Sequence, residues 1–264
     1  MKKLCVFACM ISASLLALAT PSLLPAATET AAVSPRIPDL LAEEEYDEEG
    51  EAVAEEEIFD PLEPWNRGVY VFNDKLYVWV LNPVRDVYKA AVPQDIRGCI
   101  GNFVSNLSAP VVLVNTLLQG RFADAWTVMS RFGINTVLGV YGFGDPAASE
   151  FDMAPPSADF GQTLGRWGAV GGPYLYWPLF GPANVRDTVG LVADNMAHPV
   201  NFMELNSSEL LGYTSGTFIN RLTLVPDIQE EIKTYSLDPY VATRQAYYDY
   251  RNSRINGRRQ PAAE

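Results

Sequence analysis

Apolar residues recur at helical spacing along most of the chain. Between residues 65 and 81 they fall at i, i+3, i+4 and i+7, and Pro64 and Pro83 stand on either side of the segment. This spacing predicts an amphipathic helix that ends before Pro83, with residues 86–91 continuing as a short turn. The residues that follow this spacing are Val69, Phe72, Asn73, Leu76 and Val80.

The same spacing predicts further helices. They cover residues 94–107, 110–119, 121–138, 184–196, 208–222 and 240–255. The segment 110–119 is apolar on all sides, so it is either fully buried or in contact with lipid. About ten residues are too few to cross a bilayer, so we expect that this helix does not span one.

Residues 139–182 break the helical pattern. Glycine and proline are too frequent there for helix interiors, so the segment is predicted to form long loops with short strand-like pieces. It is also rich in aromatic residues, which is unusual for a loop in a compact domain. Because long loops of this kind are often functional, the segment is our candidate region for ligand contact.

The first 27 residues have the layout of a signal peptide. Two lysines precede an apolar stretch, and small residues at 17–19 and 25–27 provide two cleavage sites. A retained anchor helix is one alternative. A lipid anchor at Cys9 is another, although only five residues separate Cys9 from Lys3, which is short for the apolar region of a signal.

Charge is concentrated in one segment. The formal net charge is −13, and residues 43–57 contain ten acidic residues and no basic ones, which leaves −3 for the rest of the chain. We interpret residues 28–58 as an acidic disordered linker, residues 59–255 as the helical domain and residues 256–264 as a flexible tail. With no basic stripe to neutralise phosphates, the composition argues against nucleic acid as a partner.

Five sequence motifs occur in a fixed order along the helical domain. They are DPLEPWNR at 60–67, VNTLLQG at 114–120, RFGINT at 131–136, DFGQTLGRWG at 159–168 and SLDPY at 236–240. In these motifs the chain resembles the MlaA/VacJ family of outer-membrane phospholipid-transport proteins. Agreement in this order over most of the domain is far more specific than any single short motif.

The resemblance implies a fold, a location and a set of partners. It implies a mostly α protein, a ring-like bundle of amphipathic helices embedded in the inner leaflet of the Gram-negative outer membrane, on its periplasmic side, around a partly polar channel. It further implies removal of mislocalised phospholipid from the outer leaflet, with a trimeric porin and a periplasmic lipid carrier as partners and no cofactor. The chain differs from the family in its lipid anchor, because no convincing lipidation cysteine follows the signal.

Candidate contacts for the lipid lie in and around the aromatic loop. Asp159 and Arg166 are expected to form a polar rim for a headgroup, or else a buried structural pair or turn cap. Tyr174, Trp177 and Phe180 are expected to face acyl chains, or else to pack in the core. The full candidate lipid path is Asp159, Phe160, Gln162, Arg166, Gly172, Pro173, Tyr174, Trp177, Phe180 and Gly181.

The sequence offers little support for catalysis or metal binding. His198 is the single histidine and precedes Pro199, where it is expected to satisfy the end of a helix. No G-x-S-x-G motif is present, and the cysteine spacing does not suit zinc. Three alternatives to transport stay open: an envelope lipid hydrolase that uses His198, a porin-binding structural protein, and a soluble periplasmic lipid shuttle.

Overall fold

A computed structural model describes residues 58–225 and 228–257. The predicted signal peptide, nearly all of the acidic linker and most of the C-terminal tail lie outside the described residues. Within them the protein is mostly helical, with one small antiparallel sheet, which confirms the predicted fold class.

The elements follow one another with short connections at most points. Two of the helices are not α-helical: Tyr77–Leu81 is a π-helix, and Pro199–Phe202 is a 3-10 helix. In chain order the remaining elements are α1 Glu63–Leu76, α2 Asn82–Ala91, α3 Gln94–Leu118, α4 Phe122–Val137, α5 Pro146–Ser149, α6 Phe160–Arg166, β1 Tyr174–Trp177, β2 Gly181–Asn184, α7 Val185–Ala197, α8 Ser207–Leu224, α9 Ile228–Tyr235 and α10 Pro239–Asn256.

The prediction that Pro83 ends the first helix is wrong. A proline lacks the N–H that an α-helix needs, and its ring clashes with the carbonyl four residues earlier. Here the π-helix widens the turn before Pro83, and the backbone N–H of Asn82 bonds to the carbonyl of Tyr77, five residues back. The helical path therefore continues through the proline, and residues 86–91 belong to α2 instead of a turn.

A second proline also fails to end a helix. The two helices predicted over 94–107 and 110–119 form the single helix α3, with Pro110 inside it. At 25 residues, α3 is the one helix of the described residues that is long and apolar enough to cross a membrane, with a mean hydropathy of 1.2. The expectation that this apolar segment is too short to span a bilayer is therefore wrong on length, while length and composition alone do not place it across one.

The loop segment 139–182 contains more regular structure than glycine and proline frequency indicates. The short strands β1 and β2 agree with the predicted strand-like pieces, and they pair antiparallel with Tyr174 opposite Asn184. The helices α5 and α6 were not predicted. An aspartate caps each of them, Asp145 for α5 and Asp159 for α6, and the side chain of each accepts a backbone N–H of the first turn.

Polar side chains fill much of the interior, and apolar side chains cover much of the surface. Among the described residues, thirteen polar or charged side chains are buried, against nine hydrophobic ones. Helix α1 shows the reversal: Asn66 and Asn73 are buried beside Val69, while Phe72, which follows the predicted apolar spacing, is exposed. In a water-soluble protein this ratio is unusual, because buried polar groups need partners and large apolar patches are rare.

The aromatic and aliphatic side chains on the surface are large. Trp79 is 71% exposed, Phe122 71% and Val137 77%. Helix α4 has the same polarity as α1, since Arg131 and Asn135 are buried and Phe122, Trp126 and Val137 are exposed. The apolar periodicity correctly predicted the helix, but it marks the outward face.

Two glycines allow α6 and α7 to touch backbone to backbone. A Cβ atom at Gly190 would lie 2.3 Å from the amide nitrogen of Gly161 and 2.6 Å from its Cα. Neither of these atoms belongs to a flexible side chain that can move aside. The close crossing fixes the start of α6 against the middle of α7, and with it the position of Asp159.

We predict that Gly190→Ala lowers the free energy of unfolding by about 3 kcal/mol, at the upper end of the cost of an overpacked site. Gly212→Ala is the matched control, since Gly212 also lies inside a helix but has open space around it. The control should be neutral or up to about 1 kcal/mol more stable, because alanine favours helix over glycine. Chemical denaturation of the purified protein measures both, and equal stability of the two variants would contradict the close crossing.

Candidate functional site

The hairpin β1–β2 is attached to α1 by two asparagine side chains. Asn66 accepts the backbone N–H of Tyr176 at 2.9 Å and donates to the carbonyl of Tyr174 at 3.0 Å. Seven residues on, Asn73 donates to the carbonyl of Trp177 and accepts the N–H of Leu179, both at 2.9 Å. Because the two amides lie on one face of α1, the helix satisfies the hairpin backbone much as a third strand would.

Tyr174 packs in the core and does not line an open surface. Its side chain is fully buried in a cluster with Val69, Tyr176 and Tyr240, with ring centroids 6.4 Å from Tyr176 and 6.2 Å from Tyr240. Burial, followed by the neighbouring tyrosines, raises the pKa of Tyr174 above its usual value. Of the two readings of this residue, the geometry supports core packing.

Trp177 and Phe180 lie at the surface end of the same hairpin. Trp177 is 40% exposed and donates its indole N–H to Thr188 at 3.0 Å, while Phe180 is 70% exposed. Gly172, which precedes Pro173, and Gly181, which follows Phe180, have φ angles of +72° and +79°. These glycines serve the turns, since side chains rarely adopt such angles, so a bulky substitution there would strain the backbone whatever its effect on a ligand.

Asp159 is paired with Arg251 of α10, not with Arg166. The two guanidinium nitrogens of Arg251 lie 2.6 and 2.9 Å from the carboxylate oxygens of Asp159, a bidentate arrangement. The same carboxylate accepts the backbone N–H of Gln162 at 2.7 Å and its side-chain amide at 2.8 Å. The alternative of a structural pair or turn cap therefore describes Asp159, although its partner is Arg251 and not Arg166.

Arg251 also joins a second carboxylate. Its Nε lies 2.7 Å from Asp187 of α7, and the hydroxyl of Tyr247 donates to the same carboxylate at 2.5 Å. Burial alone would raise the pKa of Asp159, but the hydrogen bonds and charge of Arg251 outweigh burial and hold that pKa below its usual value. The arrangement ties α6, α7 and α10 together through ionised groups.

A further polar layer connects α6 to α3. The Thr163 hydroxyl donates to Asn115 at 2.9 Å, and Asn115 donates to Asp194 at 2.8 Å. Asp194 in turn accepts the backbone N–H of Phe160 at 2.9 Å. Burial raises the pKa of Asp194 above its usual value, against the effect of these hydrogen bonds. Thus three helices share one interior hydrogen-bond network.

Arg166 stands outside these networks. Its Nη2 makes a long contact of 3.4 Å to the carbonyl of Arg254, and its Nε is buried without a hydrogen-bond partner. No ion pair of Arg166 is found within 58–225 and 228–257. Phe160 packs edge-on against exposed Trp167, with ring centroids 6.3 Å apart.

A half-open cavity that the sequence did not indicate lies between α3 and α4. Its volume is about 60 Å³, and its lining combines polar and apolar side chains. The residues that line it are Ser105, Asn106, Ala109, Val112, Val128, Arg131, Phe132, Asn135, Pro155 and Pro156. The sequence feature that could have indicated this cavity is the pair of polar residues Arg131 and Asn135, which lie four positions apart in the otherwise apolar helix α4.

The polar wall of the cavity is held rigidly. Arg131 lies 2.7 Å from Asp145, and Asn135 donates to the same carboxylate at 2.8 Å. Burial opposes ionisation of Asp145, but the hydrogen bonds of Arg131 and Asn135 outweigh it and lower the pKa of this carboxyl. Asn106 donates to Thr136 at 3.0 Å across the two helices. The cavity is smaller than the roughly 300–1,000 Å³ of a complete small-molecule site, so it can hold only part of a ligand.

The loop after α4 is strained beside the cavity. Val140 and Tyr141 have φ angles of +53° and +59°, a region that a β-branched residue such as valine rarely occupies. The loop is fixed because Phe143 stacks on Phe103 at 4.8 Å and its carbonyl accepts the Asn102 amide at 3.3 Å. Strain kept in place by packing is often found at functional sites.

His198 contacts a serine, but with the wrong hydrogen-bond polarity for a nucleophile and base. Its Nδ1 accepts the backbone N–H of Val200 at 3.3 Å, which leaves the proton on Nε2, 3.0 Å from the hydroxyl of Ser108. The Ser108 hydroxyl donates to the carbonyl of Val104 at 2.9 Å. His198 follows the last residue of α7, as expected, but its side chain accepts an N–H of the next turn instead of donating to the terminal carbonyls of α7. In the part of the chain described, no group of three potential metal ligands occurs.

Comparison with known proteins agrees with this architecture. The family model described as MlaA lipoprotein matches residues 58–254, and the chain belongs to the MlaA family. The intermembrane phospholipid transport system lipoprotein MlaA of Escherichia coli is 34% identical over 205 residues, which cover 75% of this chain and 79% of that protein. The protein with the same description from Haemophilus influenzae is 29% identical over 201 residues, with the same shares covered.

A relative from Rickettsia conorii, described as uncharacterized, is 33% identical over 200 residues, covering 75% of this chain and 79% of its own length. A solved structure reported as "Structural basis for maintenance of bacterial outer membrane lipid asymmetry" matches with a TM-score of 0.66 and 32% identity. It covers 75% of this chain and 99% of the solved chain. The resemblance found in the ordered sequence motifs is thereby confirmed.

We predict that Asp159→Asn lowers the free energy of unfolding by about 2 kcal/mol at neutral pH. The value is below the cost of about 3–5 kcal/mol for breaking a fully buried pair, because 36% of the Asp159 side chain is exposed. Since the folded pKa is lowered, the stabilisation is present above the unfolded pKa of about 3.9 and is lost as the pH falls through the lower folded value.

Denaturation of the wild type and Asp159→Asn at a series of pH values tests this, and the gap between them should close below about pH 4. Glu63→Gln is the control, since Glu63 forms an exposed pair with Arg67 at 2.7 Å and should change stability by less than about 1 kcal/mol. A gap for Asp159→Asn that does not depend on pH would show that the charge of Asp159 is not what stabilises the fold.

Proposed function

We propose that this protein is a phospholipid-transport component of the bacterial outer membrane. It removes mislocalised phospholipid from the outer leaflet and passes it through a channel to a periplasmic carrier, which maintains lipid asymmetry. Membership of the MlaA family carries this proposal. The relatives described as parts of an intermembrane phospholipid transport system support it.

The reversed polarity of the protein supports a membrane setting. Exposed apolar side chains on α1, α3 and α4 suit contact with acyl chains, and amphipathic helices that lie in one leaflet satisfy both their faces. The polar interior then provides the path for a headgroup, since lipid cannot satisfy buried amides and carboxylates. In this arrangement the helices form a ring around the path on the periplasmic side of the membrane.

Transport through this chain is passive. The lipid keeps all its bonds while its headgroup moves along polar side chains and its acyl chains stay in apolar surroundings. The amphipathic cavity between α3 and α4 has both kinds of wall. Of the sequence candidates, Arg166, Trp177 and Phe180 are open to such contact, whereas Asp159, Gln162 and Tyr174 support the walls.

The partners follow from the two ends of this path. A trimeric porin gives a rigid surface against which exposed aromatic residues such as Trp79 and Phe122 pack within the membrane. A periplasmic carrier accepts the lipid on the aqueous side. The protein attaches to the membrane either through a lipid anchor at Cys9 or through helix burial and porin contact after signal removal. Mass spectrometry of the mature protein distinguishes the two, because only the first leaves a lipid-modified Cys9 at the N-terminus.

A strain that lacks this protein should accumulate phospholipid in the outer leaflet, measured by labelling of intact cells. Unchanged surface phospholipid would refute the transport function and favour a structural, porin-binding role.

The Ala109→Phe variant, expressed in the deletion strain, should restore transport poorly, because the phenylalanine side chain fills the cavity. Val137→Phe, at a position 77% exposed, is the matched control and should restore it fully.

A hydrolase is the one alternative that a specific contact favours, because Ser108 and His198 lie 3.0 Å apart. We expect His198→Asn to retain transport at the wild-type level. Asparagine can still cap the turn, and the protonated Nε2 of His198 cannot accept a proton from the Ser108 hydroxyl. The same labelling assay measures the outcome. Complete loss of function in a folded His198→Asn protein, with release of fatty acid by the wild type, would establish the hydrolase instead.

A further inference from the structure

An arginine without a counterion lies at the C-terminal end of α6. The Nε of Arg166 is buried without a hydrogen-bond partner, and its Nη2 has only the long contact to the Arg254 carbonyl. The side chain as a whole is half-buried, so part of the guanidinium stays open to a ligand. A partly desolvated charge without an ion pair is costly, and Arg166 forms none within the described residues.

The charges nearest to Arg166 do not give it a partner of its own. Arg121 acts on Arg166 as a like charge, and the opposing charge of Asp124 is already paired with Arg121 at 2.6 Å. Arg186 approaches the same helix end: its Nη1 lies 3.0 Å from where a Cβ of Gly165 would be, and it donates to the Ala169 carbonyl at 3.3 Å. The carboxylate of Asp187 pairs with Arg186 and Arg251, so it is not available to Arg166.

An apolar surface borders this group of arginines. Trp167, the next residue, is 58% exposed, and Val170 is 85% exposed. The Trp167 indole N–H bonds to the carbonyl of Leu118 at 3.1 Å, which fixes the ring beside the end of α3. A tryptophan at such a border is typical of the interface between headgroups and acyl chains.

We propose that Arg166, supported by the charge of Arg121, binds the phosphate of a phospholipid headgroup whose acyl chains lie along Trp167 and Val170. The site deepens the proposed transport function and rests on it. A phosphate diester supplies the missing anion, and the planar guanidinium forms charge-assisted hydrogen bonds to its oxygens. Free phosphate has the same chemistry, but the adjoining apolar surface favours a lipid.

A purely structural role makes the opposite prediction for stability. If Arg166 holds the fold together, Arg166→Gln lowers the melting temperature of the ligand-free protein. If it is kept for an anion, removing an unpaired charge leaves the melting temperature equal or higher, since binding sites often reduce stability. The two roles are therefore separated by a measurement that requires no ligand.

The test uses the purified full chain in a non-ionic detergent and phosphate-free buffer. Calorimetry compares short-chain phosphatidylglycerol, inorganic phosphate and an uncharged short-chain diacylglycerol. We expect the phosphatidylglycerol to bind the wild type and to bind Arg166→Gln about tenfold more weakly, the loss expected for one charge-assisted interaction. Arg166→Lys should lose less, because it keeps the charge without the planar fork.

Arg221→Gln is the matched control, since Arg221 is an exposed arginine at the end of α8, a helix that packs on the opposite part of α3. It should bind phosphatidylglycerol like the wild type, and the uncharged lipid should not distinguish any of the variants. Equal affinity of Arg166→Gln and Arg221→Gln for phosphatidylglycerol would overturn the proposal. Binding of inorganic phosphate as tightly as the lipid would overturn the assignment to a headgroup.

The inference and the proposed function can fail separately. If the deletion strain accumulates surface phospholipid while Arg166→Gln binds normally, the site is wrong and transport stands. If surface phospholipid is unchanged although Arg166 determines binding, the site stands as a lipid-binding site and the transport function falls.

Discussion

The guanidinium of Arg251 holds the interior of this protein in place. It pairs with Asp159 at the start of α6 and with Asp187 in α7, and it reaches both from α10, near the other end of the chain. Each carboxylate has a second task, since Asp159 caps α6 and Asp187 accepts the Tyr247 hydroxyl. A hydrophobic contact in the same place would have no direction, whereas the bidentate hydrogen bonds to Asp159 and the ion pair with Asp187 fix how the three helices are oriented.

A polar interior of this kind implies an apolar exterior that water does not cover. The buried asparagines on α1 and the buried Arg131 and Asn135 on α4 leave tryptophan, phenylalanine and valine side chains of the same helices outside. In lipid the hydrophobic effect contributes little to helix association, because acyl chains are as apolar as the side chains, so close packing and polar networks carry the specificity. The family assignment and the polarity of the fold are independent observations, and both indicate a membrane environment.

Much of the fold follows from apolar spacing, which located α4, α7, α8 and α10 to within about two residues. The breaks at Pro83 and Pro110 were wrong, because a π-turn and a long apolar helix tolerate proline when neighbouring groups compensate. The burial was reversed, because periodicity finds an apolar face without saying whether protein or lipid covers it. The pairing of Asp159 with Arg251 joins residues 92 positions apart, and no local pattern could identify that partner.

The two asparagines that attach the hairpin to α1 also affect how copies of this chain meet. A two-stranded hairpin ordinarily has an outer edge whose backbone groups can pair with a strand of another molecule. Here the amides of Asn66 and Asn73 occupy the outer edge of β1, and the carbonyl of Phe59 accepts the N–H of Tyr174 at 3.5 Å. A protein so apolar on its surface therefore cannot add a strand of another molecule at the β1 edge before it reaches its membrane.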